Sequence, residues 1–189
     1  MGERSLEPGR EPGPEPRLEQ TIEPSLAPGV EVRSATLADL DELVEVYLSA
    51  AAHHAAIDPD VYLVPTAVDA AIRWQHRVES RGRDAECVVA VVEGRVVGSA
   101  SIEVVQSPGI GSMIRPLRIA EIGIGILDGH RGLGIGRRLI AELEGWAADH
   151  DIERIVLLVA DANVGAIRLY RRLGYAADSV VLRKEVAAR

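Results

Sequence analysis

Phenylalanine is absent from this chain of 189 residues, and aromatic residues of every kind make up only 3%. Proteins that hold single-stranded nucleic acid stack its bases on aromatic rings, so that class of function is disfavoured. Cations are also in short supply: 21 Lys and Arg stand against 29 Asp and Glu, a net charge of −8. That sign argues against broad contact with a phosphate backbone. One cysteine, Cys87, allows no internal disulfide. It lies in the apolar run Cys87-Val88-Val89-Ala90-Val91-Val92 and reads as a buried small hydrophobe in a reducing, cytoplasmic setting. No apolar run approaches the roughly 20 residues a membrane helix needs. The first 30 residues contain no apolar block of the secretory kind. What is plentiful is apolar surface: hydrophobic residues make up 47%, enough for the core of one domain, or one domain plus a tail.

The chain divides near residue 30. Residues 1–29 carry six of the ten prolines, and Glu recurs at positions 3, 7, 11, 15, 19 and 23. A spacing of four suits a helix face, but Pro8, Pro12, Pro14 and Pro16 remove donors and clash with helical turns. With too little apolar surface to offset ordering entropy, this stretch reads as a disordered tail leaning towards polyproline II. From Val30 the pattern becomes globular, giving domain boundaries of 1–29 and 30–189. Residues 30–35 alternate as a half-buried strand does. Thr36 caps a helix, with Asp39 as capping-box partner, and Leu40, Leu43, Val44, Tyr47 and Leu48 repeat at helical spacing. Asp58-Pro59 ends it, and a second helix covers residues 67–79. Residues 85–93 and 96–106 form a hairpin about Gly94. Residues 113–127 read as one long strand, and a helix runs from Gly134 to about His150. The apolar run at 155–160 predicts a strand covered on both faces. A helix at 163–173 stops at Gly174, and residues 175–186 form a closing strand.

Chemistry concentrates where the long strand meets the following helix. Leu127-Asp128-Gly129-His130 leads into Arg131-Gly132-Leu133-Gly134-Ile135-Gly136. Glycines let backbone bend tightly and approach a ligand, and free N–H groups at a helix start make an anion site. The first turn then carries Arg137 and Arg138, where the helix dipole favours acids. Cations there make sense if an anion occupies the turn; otherwise this is a Gly-rich connection with its arginines in water. A triphosphate loop is excluded, because Gly136 is not followed by Lys and Ser or Thr. A dinucleotide site with Asp161 as ribose ligand is the rival. It is disfavoured by the spacing of Gly132, Gly134 and Gly136, and by the 28 residues that follow Asp161, too few to complete that fold.

Arg131-x-x-Gly134-x-Gly136 after a long strand resembles the pyrophosphate motif of the GNAT superfamily of N-acetyltransferases. The block from Asn163 to Tyr175, with Leu169-Tyr170 and Gly174-Tyr175, resembles that superfamily's second signature. Both motifs and the element order span residues 30–186. The resemblance implies an α/β fold with a mixed, mostly antiparallel central sheet of roughly six to seven strands and about four flanking helices. It also implies transfer of an acetyl group from acetyl-CoA, with no metal, to a primary amine of a small molecule or peptide. A non-catalytic acyl-CoA sensor or interaction module of the same fold is the alternative.

The resemblance further assigns roles. Arg131, Gly132, Leu133, Gly134, Ile135, Gly136 and Arg137 would form the pyrophosphate turn. The backbone of Ile124 and Ile126 would pair with the pantetheine arm, and Gly123 and Gly125 fit close approach or a bulge. Asn163 would contact the arm, or simply cap its helix. Tyr170 would protonate the leaving thiolate, or pack with Ala166, Ile167 and Leu173. Glu121 is the first candidate base and Glu103 the second; either is also readable as a solvated strand residue. The acceptor side would hold His53, His54, Asp58, Asp60 and Tyr62. The two histidines lack further ligands at metal spacing and read as surface or cap residues. The acidic surplus suits a cationic acceptor such as an aminoglycoside, polyamine or peptide N-terminus. His130 reads as a loop residue rather than a phosphate contact. Only one strand's length follows the last helix, so a homodimer could cover the exposed sheet edge.

Overall fold

The alternation Val-Glu-Val-Arg-Ser makes strand β1 (Val30–Ser34). The structure, a computed structural model, describes residues 29–105, 113, 115–179 and 184. Thr36 then turns the chain: its N–H and hydroxyl both donate to the Asp39 carboxylate, at 2.7 and 2.9 Å. Arg33 clamps the same carboxylate with two hydrogen bonds of 2.8 and 2.6 Å. These bonds, Arg33's first, pull the Asp39 carboxyl down from its ordinary 3.8 to about 2. Helix α1 (Leu40–Ile57) follows and stops at Asp58, ahead of the helix-incompatible Pro59. Helix α2 (Ala67–Glu79) begins where Thr66 Oγ1 accepts the Asp69 N–H at 3.1 Å. It buries Ala70, Trp74 and Val78, one per turn.

Strands β2 (Ala85–Val92) and β3 (Arg95–Val105) form the expected hairpin. Glu93 and Gly94 both have left-handed backbone, φ 51° and 80°, the tight-turn geometry whose twist matches that of paired strands. After β4 (Ile119–Ile126) come α3 (Ile135–Asp149), β5 (Arg154–Val156) and α4 (Val164–Arg172). The sheet order is β1-β2-β3-β4-β5. Its first three pairings are antiparallel and the last is parallel.

Helices cover both faces. Cys87 points at α2, its sulfur 3.9 Å from the Arg77 carbonyl; burial pushes its thiol up to about 11, as suits an inert core residue. On this face α1 lies so close to β4 that a Cβ at Gly125 would stand 3.3 Å from Val46 Cγ1 and Ala50 Cβ. Leu139 and Ile135 of α3 press on the other face at Gly98. Leu169 of α4 meets Gly136 there, beside Ile124 and Ile126.

Several expectations change. Five strands, not six or seven, are present among the described residues. The long strand begins at Ile119, since residues 115–118 make no ladder. The run at 155–160 pairs only at Ile155 and Val156, and Leu158 is 81% exposed rather than covered. An apolar run says what would gain from cover, not what supplies it. Residues 175–179 form no strand, and the rest of the proposed closing strand, like residues 1–28 of the tail, lies outside the described residues apart from Lys184.

Candidate active site

The parallel ladder between β4 and β5 ends at the Glu121–Val156 pair. Beyond it the outer edge of β4, residues 122–126, has no strand beside it among the described residues. The Leu127 N–H donates to Val97 O at 2.9 Å, so Leu127 faces β3. By the alternation of an antiparallel ladder, Gly125 and Gly123 face β3 too, whereas Ile124 and Ile126 direct N–H and C=O outward. Arg131 Nε donates to that outward Ile126 carbonyl at 3.3 Å.

The open edge runs directly into the turn. Gly132 and Gly134 have φ of 79° and 80°, and a Cβ on either would meet nothing within 4 Å. Gly134 is the N-cap of α3, with ψ −3°. Alternating left-handed residues of this kind aim successive N–H groups to one side, an arrangement suited to anions. Among the described residues no backbone hydrogen bond uses the N–H of Gly132, Leu133, Gly134, Ile135 or Gly136. The α3 first turn contains no acidic residue.

The arginines divide. Arg131 Nη1 pairs with Asp128 at 3.0 Å and stays at the turn. Arg138 reaches away to the Val30 carbonyl at 3.3 Å, which removes it from the proposed anion site. Arg137 is half-buried in the first turn. Burial, then the charges of Arg131 and His54, hold His53 below its usual pKa, so the C-terminal half of α1 stands near the turn. His54 Nδ1 lies 2.8 Å from the Ala50 carbonyl. His130 lies in the loop before the turn, its Nδ1 buried and without a hydrogen-bond partner among the described residues.

Asn163 is a helix cap: its Oδ1 accepts the Ala166 N–H at 3.2 Å. Tyr170 is half-buried, edge-to-face with Tyr175 at 5.8 Å between ring centres. Burial raises its pKa, so the phenol keeps its proton at neutral pH. Its hydroxyl makes no hydrogen bond among the described residues, whereas Tyr175 OH donates to Glu144 at 3.0 Å. Glu121 is exposed and directly opposite Glu103 across the β3–β4 ladder. Both carboxylates project from the α1–α2 face, while Tyr170 belongs to the helix on the other. Gly125's close approach is to α1, and Gly123 has only Ser101 Oγ, 3.7 Å from a Cβ position.

One feature escaped the sequence reading. A cleft of about 460 Å³ is lined by Asp69, Ile72, Arg73, His76 and Arg77 of α2 together with Glu103. Spacings of three and four along α2 put its five residues on one stripe, a signal visible in the sequence once the helix is known. The acceptor residues expected from α1 and its following loop, His53, His54, Asp58, Asp60 and Tyr62, do not line it.

Comparison with known proteins accords with this geometry. The acetyltransferase (GNAT) family matches residues 48–175, more than half of the chain. The protein therefore belongs to the GNAT family of acetyltransferases. A curated relative, the L-amino acid N-acetyltransferase AaaT of Escherichia coli K12, is 29% identical over 106 residues, which cover 54% of this chain and 59% of that relative. The fold is shared with the BH1408 protein of Bacillus halodurans, solved as a mutant (TM-score 0.75, 21% identity, 83% of this chain and 99% of that one). It is also shared with a ribosomal-protein-alanine N-acetyltransferase of Brucella melitensis (TM-score 0.57, 25% identity, 83% and 100% covered). No helix among the described residues is long and apolar enough to cross a membrane.

Proposed function

We propose that the protein is an acetyl-CoA-dependent N-acetyltransferase acting on a primary amine. The observation that carries this is a single run of backbone with no strand beside it among the described residues: the outward edge at Ile124 and Ile126, where Arg131 alone reaches the Ile126 carbonyl, passing into the donor-rich turn at residues 132–136. An extended arm ending in a pyrophosphate complements that run, because strand-like pairing satisfies the edge and N–H groups satisfy the anion. Arg131 and Arg137 add positive charge at the turn, and Asn163 lines the arm. When bound, acetyl-CoA supplies an acyl carbon that exchanges its C–S bond for a C–N bond.

The chain's own groups handle the protons. Glu121, with Glu103 as the second candidate, takes the amine proton, directly or through water, since only the neutral amine attacks. An outward N–H of β4 stabilises the developing oxyanion. Tyr170, kept protonated by burial, gives its proton to the departing thiolate. Acid and base thus approach the edge from opposite faces of the sheet.

Calorimetric titration with acetyl-CoA, CoA and NAD tests the site, and thiol release on a panel of amines tests the reaction. Binding of the two CoA species without NAD is expected, as is amine-dependent thiol release. A folded sample without affinity for CoA or its thioesters overturns the reading, and binding without turnover returns it to a sensor of the same fold. Tyr170→Phe removes no hydrogen bond seen among the described residues, so it should fold normally. It should lower kcat about 100-fold with acetyl-CoA affinity little changed; unchanged kcat removes Tyr170 from the mechanism.

A further inference from the structure

The cleft between α2 and β3 is lined by two guanidinium groups, Arg73 and Arg77, and two carboxylates, Asp69 and Glu103, yet neither arginine is drawn into an ion pair among the described residues. Its volume of about 460 Å³ suits a small molecule, such sites being roughly 300–1,000 Å³. Arg77 donates to Ser101 Oγ and stands 5.9 Å from the Trp74 ring centre. Arg73 stands 5.6 Å from that of Tyr47. Neither has a carboxylate within ion-pair distance among the described residues. Arg33, Arg81, Arg95, Arg118 and Arg131 each have one. Burial and then the neighbouring Arg73 lower the pKa of Arg77. A partly desolvated cation beside a second cation is costly until an anion joins them.

The opposite wall has the opposite sign. Glu103 lines the cleft, and its cross-strand partner Glu121 sits on β4 one residue before the open edge. Directly paired positions have Cβ atoms about 4.5–5.5 Å apart, so the two carboxylates lead from the cleft towards the edge. Ile72, 63% exposed, supplies an apolar wall.

We propose that this cleft is the acceptor pocket and that the acceptor is a small amino carboxylate. Arg73 and Arg77 hold its carboxylate, while Glu103 and Glu121 draw its ammonium group towards β4, where the proton is lost before attack. Ile72 packs on its side chain. This inference rests on the acetyltransferase reading above and narrows its acceptor. It differs from the purely cationic acceptor that net charge alone suggests: the cleft carries both signs, Arg73 and Arg77 beside Asp69 and Glu103.

Thiol release from acetyl-CoA is measured with glycine, L-alanine, L-leucine and L-methionine, and with the carboxamide of each. The free acids should exceed their carboxamides at least tenfold in kcat/KM, the scale of one charge-assisted hydrogen bond. Arg73→Gln, at an exposed position where folding is little affected, should raise KM for the free acids about tenfold and erase the preference; Arg73→Lys should restore much of it. Wild-type protein that binds acetyl-CoA but turns over carboxamides as well as free acids, or accepts no free amino acid, overturns this inference alone. Failure to bind acetyl-CoA at all overturns the acetyltransferase reading, and this inference with it.

Discussion

Two glycines in and next to one helix should respond oppositely to the same substitution. Gly134 caps α3 with φ 80° and ψ −3°, and Gly145 lies inside α3; a Cβ at either meets nothing within 4 Å. Sterics are therefore silent and backbone conformation decides. At Gly134 an alanine is forced into left-handed space at about 1–2 kcal/mol. Removing a glycine from the unfolded chain returns about 0.4–1 kcal/mol. The net expectation for Gly134→Ala is a loss of about 1 kcal/mol. At Gly145 the helical conformation is one alanine prefers, so Gly145→Ala should gain up to about 1 kcal/mol. For a chain of this size each kcal/mol moves Tm by roughly 2–4 °C, and urea melts give the free energies directly. The turn's function should split the same way. Gly134→Ala tilts the N–H groups proposed to hold the pyrophosphate and should weaken acetyl-CoA at least tenfold by calorimetry. Gly145→Ala, remote from the turn, should bind acetyl-CoA as wild type does. A Gly134→Ala protein as stable as wild type would show that the left-handed cap is not required. Wild-type affinity in that variant would take the turn out of cofactor binding.

Other outcomes follow from single contacts. Asp39 lies at about 2 in the fold against an ordinary 3.8. A depressed carboxyl stabilises the fold above its unfolded value, and that contribution disappears as pH falls through its folded one. Roughly 2 kcal/mol should therefore fade between about pH 4 and pH 2. Asp39→Asn should flatten this part of the stability–pH curve, and an unchanged slope in urea melts refutes the assignment. Leu139 is fully buried against β3 at Gly98. Leu139→Ala should cost about 2–5 kcal/mol, and a loss below about 1 kcal/mol would mean the α3 contact is looser than described.

Local chemistry was legible in the sequence. The bounds of α2 were readable as residues 67–79, and the hairpin as two strand-like runs about Gly94. The end of α1 follows from Asp58-Pro59, and the donor-rich turn from Gly132 and Gly134. Each depends on dihedral preferences and side-chain periodicity within a few residues, which the chain carries whatever surrounds it. What required the tertiary structure was every question of partners. Ladder length decided that the 155–160 run stops pairing after Val156, which leaves the β4 edge open beyond Glu121. Packing sent Arg138 to Val30 and kept Arg131 at the turn, although the two look equivalent in sequence. Strand register set Glu103 opposite Glu121, and helix placement left Arg73 and Arg77 outside ion-pair distance of any carboxylate among the described residues, in a protein of net negative charge. Charge and apolarity are properties of residues, but pairing, cover and isolation are properties of distances between residues far apart in the chain, and only the fold sets those distances.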